Sequence, residues 1–172
     1  MRGPELLLCC NESAIEIALD DYFEKKDISI VTSIRFPAIQ KMICDNDKRG
    51  PFIEDIKAVV QRRFIERIVI VAHENCKGYG GSQAFKSSVD EINAFQRDLW
   101  QAKRVILDEI AISYMKVMLL AAIKTHPGWL ICEVKNEPLR GGKSSIGFLS
   151  PAIIHRAKRR IARAIRNCAP QS

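Results

Sequence analysis

The sequence predicts an α/β fold with a mainly parallel central sheet flanked by helices, and three observations predict it. Short apolar, β-branched runs such as Ile28 to Ile34 and Ile68 to Ala72 recur along the chain. Stretches with apolar residues at helical spacing separate them. Glycine, proline and charged clusters mark the joins. Strands alternating with helices in this way build parallel sheets. At 172 residues, 47% hydrophobic and 27% charged, the chain suits one globular domain with a sizeable core.

Glu5 to Cys9 reads as a short buried strand. Ser13 is placed to cap a helix from about Ala14 to Phe23, with Ile15, Ala18, Leu19 and Tyr22 on one face. Asp27 marks a turn before the second strand, Ile28 to Ile34. The charged stretch Asp45 to Gly50 reads as a surface loop. Pro51 suits the first turn of a helix running to about Phe64, with Ile53, Ile56, Val59, Val60 and Phe64 as its stripe. Ile68 to Ala72 is the third strand, and Gly78, Gly80 and Gly81 form a turn after it. Helix resumes near Ser82 and continues to about Gln101. A further helix is expected from about Arg104 to Lys124, stopped by His126-Pro127-Gly128. Trp129 to Val134 is the fourth strand. Pro151 opens a last helix to about Arg166. The organisation is then an α/β domain over residues 1–150 and a C-terminal helix, 151–172, packed on that domain or on a second subunit.

The net charge of +7 is concentrated at one end. Residues 1–137 carry 19 basic and 20 acidic side chains, whereas residues 138–172 carry eight basic and no acidic ones. Arg156, Lys158, Arg159, Arg160, Arg163 and Arg166 crowd the last helix, which suits phosphate neutralisation. Ile153, Ile154, Ala157, Ile161, Ala164 and Ile165 interleave with them at helical spacing. That pattern favours a docked amphipathic helix with a solvated basic face over a nucleic-acid binder. The longest apolar run, Val117 to Ile123, is too short to span a membrane, and the opening segment is too short for a signal peptide. A cytoplasmic protein is expected. Six scattered cysteines then favour metal binding or core packing over a disulfide framework.

The chemistry gathers at strand ends. The third strand runs into His73-Glu74-Asn75-Cys76, and the first ends in Cys9-Cys10. In parallel sheets ligands collect at the carboxyl ends of strands, so the topology brings these residues together. Imidazole and thiolate together select zinc. Three protein ligands, His73, Cys76 and one of Cys9 or Cys10, leave one position open for chemistry.

This arrangement resembles the β-class carbonic anhydrases. In that family one strand ends in Cys-x-Asp-x-Arg and a later one in His-x-x-Cys-Gly, and the two Cys and the His bind zinc. Here Cys9-Cys10-Asn11-Glu12-Ser13 stands at the first motif and His73-Glu74-Asn75-Cys76 at the second. Ile30 to Arg35 looks like the family's second strand, which ends in arginine. The helix before Pro127, followed by Gly128-Trp129-Leu130-Ile131, looks like its last long helix and Gly-Trp strand.

The resemblance implies Zn2+ as cofactor, a CO2 and bicarbonate substrate, and a homodimer or higher oligomer, with Met115 to Ile123 or the C-terminal helix as candidate interface. Zinc lowers the pKa of bound water to about 7 and creates a nucleophile for CO2. The departures lie in the Asp-Arg dyad that handles the proton. The Cys9 register puts Asn11 and Ser13 there, and the Cys10 register puts Glu12 and Ala14. Neither supplies the arginine, and Lys77 replaces the glycine after the second Cys. Strand geometry favours Cys9 slightly, while Cys10 keeps a carboxylate at the dyad. Glu12 is the candidate proton acceptor or fourth ligand, and Arg35 and Lys77 are candidates to hold the anionic product. A zinc-binding homologue with lost or altered activity is the alternative.

Overall fold

The computed structural model describes residues 3–112 and 114–135. Five strands form one sheet in the order β2-β1-β3-β4-β5. They are β1 (Glu5–Cys9), β2 (Ile30–Arg35), β3 (Arg67–His73), β4 (Lys116–Lys124) and β5 (Trp129–Glu133). The first four are mutually parallel, and β5 is antiparallel to β4. Helices α1 (Glu16–Lys26), α2 (Ile39–Cys44), α3 (Arg49–Arg63) and α4 (Ser88–Ile110) join the parallel strands. The α/β architecture expected from the alternation is the one observed.

The pleat sorts the strands' side chains onto two faces. Leu6, Leu8, Ile68, Ile70 and Ala72 pack beneath α2, α3 and α4 in the larger core. Leu7, Cys9, Val69 and Val71 face the other way and pack with Ile15, Leu19 and Phe23 of the α1 segment. Burial on both faces explains why β1 and β3 read as unbroken apolar runs rather than alternating ones.

Several elements differ from the sequence reading. Ser13 caps nothing: it opens a short 3-10 turn, Ser13–Ile15, that runs into α1 without a side-chain cap. Phe64 is not part of the α3 stripe. It is the left-handed residue that ends the helix (φ 53°), and it lies 78% exposed. The helix after the glycine turn starts at Ser88, where the Ser87 hydroxyl accepts the Asp90 N–H, and runs unbroken to Ile110.

The largest correction concerns residues 104–124. The helix stops at Ile110, with Ala111 left-handed, and Lys116–Lys124 is a strand inside the sheet. A continuous apolar run fits a strand buried on both faces as well as a helix, and periodicity cannot separate the two. Leu119 to Ile123 is buried within the chain itself, so that stretch is not a surface for a second subunit. The basic C-terminal helix and the 150/151 domain boundary lie outside the described residues. Among the described residues no helix is long and apolar enough to cross a membrane.

Leu120 is fully buried in β4, whereas Ile17 on α1 is 78% exposed. Leu120→Ala is expected to lower unfolding stability by about 2–5 kcal/mol in urea titration. Ile17→Ser is expected to move it by no more than about 0.5 kcal/mol.

Candidate metal centre

The chain runs from β1 through α1 to β2 on one side, then places β3 on β1's other side. The carboxyl ends of β1 and β3 therefore flank a topological switch point, where open α/β sheets form their binding crevice. Cys10 follows β1, His73 ends β3, and Cys76 follows one turn later. The donor atoms of these three residues lie within 4.8 Å of one another, and all three residues are buried.

Cys9 is not in this group. It is the last residue of β1, and its pleat parity matches Leu7, so its thiol packs against the α1 segment. Burial pushes that thiol up to about 11. Cys10 lies just past the strand, where the chain bends over the sheet end, and it packs with Ala38, Cys76 and Tyr79.

The turn after β3 brings Cys76 back beneath His73. Asn75 takes a left-handed conformation (φ 58°), which Asn tolerates better than most residues. Its side-chain oxygen accepts the Ser82 N–H at 3.0 Å, and its own N–H donates to Glu91. Glu91, buried in the first turn of α4, also accepts the Ser82 hydroxyl at 2.8 Å. Glu74 joins the end of β3 to β4: its N–H donates to Ala122 O at 3.0 Å, and its carboxylate accepts the Lys124 N–H at 2.6 Å. After Cys76, Gly78 lies so close to α2's entry that an added Cβ would sit 2.5 Å from Ala38 Cβ. That contact requires glycine.

His73 Nδ1 lies 2.8 Å from the Glu74 carbonyl oxygen, a contact that makes Nδ1 the protonated nitrogen of a neutral ring. Nε2 then carries the lone pair; it is buried with no hydrogen bond of ordinary geometry, and the Cys10 sulfur is the side chain that acts on the ring. Trp129 meets the ring edge-on, with centroids 5.9 Å apart. The Cys10 and Cys76 sulfurs are 3.9 Å apart. The contact from Cys76 brings the Cys10 thiol down to about 4 against the opposing effect of burial, with help from His73 and the Ala38 N–H. Cys76 is correspondingly raised, because its proton is held by Cys10 and because it is buried. Burial alone would lower the His73 pKa, but the Cys10 sulfur and the Glu74 carbonyl outweigh it and raise it.

These donors fit a tetrahedral metal. Metal–sulfur bonds of about 2.3 Å at a tetrahedral angle place two sulfurs about 3.8 Å apart. The orphaned Nε2 supplies a third donor whose outer nitrogen is already fixed by a carbonyl, the usual outer partner of a ligating imidazole. Two sulfurs and a nitrogen leave one tetrahedral position for something else.

A cavity of about 480 Å³ adjoins the centre, with Glu12, Ala14, His73, Lys77, Lys124 and Trp129 in its wall. Glu12 is half-buried there. A smaller cavity, about 90 Å³, lies between Glu12, Cys9, Cys10 and Arg35. Arg35 ends β2 beside Cys9 and forms an ion pair with Glu16 of α1, so it flanks the centre rather than entering the larger cavity. Lys77 is exposed at the larger cavity's wall. The sequence reading does not single out Glu91, Lys124 or the Ala38–Gly78 contact, and it gives Trp129 only as the start of a strand. No local pattern marks them, because they meet only when α4, β4 and β5 close on the turn.

Gly78→Ala is expected to force Ala38 and Cys76 apart and open the buried pair. The measurement is thiol modification in the metal-free folded protein: Cys10 and Cys76 react slowly in the parent and at least about tenfold faster in the variant, following their opening.

No protein-family model matches this sequence. No curated protein matches it either. Among solved structures the chain is similar to the β-carbonic anhydrase CafA of the fungal pathogen Aspergillus fumigatus, with a TM-score of 0.52 and 14% identity over 80% of this chain and 78% of that one. The α/β fold matches that of a β-carbonic anhydrase.

Proposed function

We propose that Cys10, His73 and Cys76 hold a zinc ion and that the chain catalyses the reversible hydration of CO2. The observation that carries this reading is the convergence of two buried sulfurs 3.9 Å apart with an orphaned imidazole nitrogen at the switch point of this fold. Bound there, zinc would supply the Lewis acidity that brings the ionisation of water near neutral pH.

The protein's own groups have separate tasks in this proposal. The Glu74 carbonyl fixes the His73 tautomer so that Nε2 faces the metal position. Glu12 stands in the cavity wall as the proton acceptor. Ala14 leaves it without the neighbouring arginine of the resembling family, and Arg35, which lines the small cavity with Glu12, is the candidate substitute. Lys77 and Lys124 place positive charge on the larger cavity's wall, where an anionic product would sit. Cys10 serves as the first ligand in this reading, supported by its place in the cluster that Cys9 does not share.

A second reading rests on Ala14. Without an arginine against Glu12 in its own loop, the same zinc centre would serve another small electrophile or be structural only. A cytoplasmic homodimer belongs to the first reading as part of the proposal.

The purified protein is expected to retain one zinc per chain through dialysis. His73→Ala and Cys10→Ser are expected to lose it, and Cys9→Ser to keep it. Stopped-flow CO2 hydration should fall by about 10²–10⁴-fold in Glu12→Gln with zinc content unchanged. Stoichiometric zinc with hydration no faster than buffer would select the second reading. Zinc retained in Cys10→Ser but lost in Cys9→Ser would overturn the ligand assignment.

A further inference from the structure

The opposite end of the sheet carries a second, larger cavity of about 1200 Å³, where β1, β3 and β4 begin and β5 ends. Tyr22, Ile28, Phe64, Tyr114, Met115 and Met118 give it aromatic and apolar walls. Phe64 and Tyr114 are 78% and 60% exposed, the most exposed aromatic side chains among the described residues. Glu5 also lines the cavity and is only 1% exposed. Arg67 engages its Oε1, while Oε2 is buried without a hydrogen-bond partner among the described residues. A buried carboxylate oxygen left without a donor is destabilising. Glu66 and Glu133 stand exposed in the same lining, with Lys26 and Lys116, so the cavity suits a segment with an apolar face and charged flanks.

The chain itself carries such a segment. Because β5 runs antiparallel, the polypeptide leaves the sheet at this end: Glu133 lines the cavity, and the Val134 N–H bonds Leu119 O at 2.8 Å. Residues 136–172 follow Lys135, the last described residue, in the sequence. Residues 136–150 can span on the order of 50 Å when extended, ample to turn back on the cavity. Beyond them the sequence sets Ile153, Ile154, Ala157, Ile161 and Ile165 on one helical face, flanked by arginines. Arginine stems cover apolar surface while their heads reach a carboxylate.

We propose that residues 151–166 dock as an amphipathic helix in this cavity of their own chain. The isoleucines would rest against Phe64, Tyr114 and Met118, with one arginine or lysine beside the exposed carboxylate of Glu66. The inference is independent of the metal centre, which lies at the other end of the strands.

Hydrogen exchange of the full chain tests it. Peptides within 151–166 are expected to exchange at least about tenfold slower than an unstructured chain. In Phe64→Glu/Tyr114→Glu that protection disappears, while α4 keeps its own. If α4 also loses protection in the double variant, Tyr114→Ser alone is expected to speed exchange in 151–166 with α4 intact. Exchange at the unstructured rate in the parent chain refutes the docking, as does protection untouched by both variants. Protection that rises with protein concentration assigns the segment to a second copy. Protection appearing only with added RNA or DNA assigns it to nucleic acid. Either result overturns the intramolecular proposal.

Discussion

Everything at the candidate centre depends on the parallel pairing of β1 with β3. Their register runs Glu5 to Arg67 through Leu8 to Ile70, and β3 continues to His73 beyond the end of β1 at Cys9. Since β2 lies on β1's far side, the connections leave β1 and β3 in opposite directions and open a crevice between the strand ends. His73, on the last pair of β3 with β4, and Cys10, one residue past β1, meet there, so strand pairing offsets part of the chain-entropy cost of bringing them together. A His-x-x-Cys segment and a Cys distant in sequence thereby become neighbours.

The legible part of the fold was the part governed by short buried runs. β1 and β3 are bounded by polar residues and are too short for helices, so their type was plain. β4 was not, because Val117 to Ile123 is apolar throughout and fits either period. The α4 terminus hid as well: Ala111 takes the left-handed conformation that glycine usually signals. Phe64 misled for the same reason, since an apolar residue at helical spacing looks like core until the helix is seen to end on it.

At the site, the residue types were readable and the choice between neighbours was not. Cys9 and Cys10 differ by one position, and one position in a pleat is the difference between the α1 face and the sheet's end. Which face α1 covers is a property of the crossover, not of the cysteines. Glu91 and Gly78 act through backbone geometry, holding a turn and permitting a close approach, and neither role leaves a spacing to recognise.

The Glu91 carboxylate has a mechanical meaning beyond its two hydrogen bonds. It ties the turn that carries Cys76 to the first turn of α4, a 23-residue helix whose inner face spans much of the larger core. The turn cannot loosen without unseating that helix's start, so its shape belongs to the same cooperative unit as the core. A zinc finger waits for its ion to organise its ligands. Here the ordering entropy of the three side chains is spent during folding, so an ion bound there would meet a frame already set.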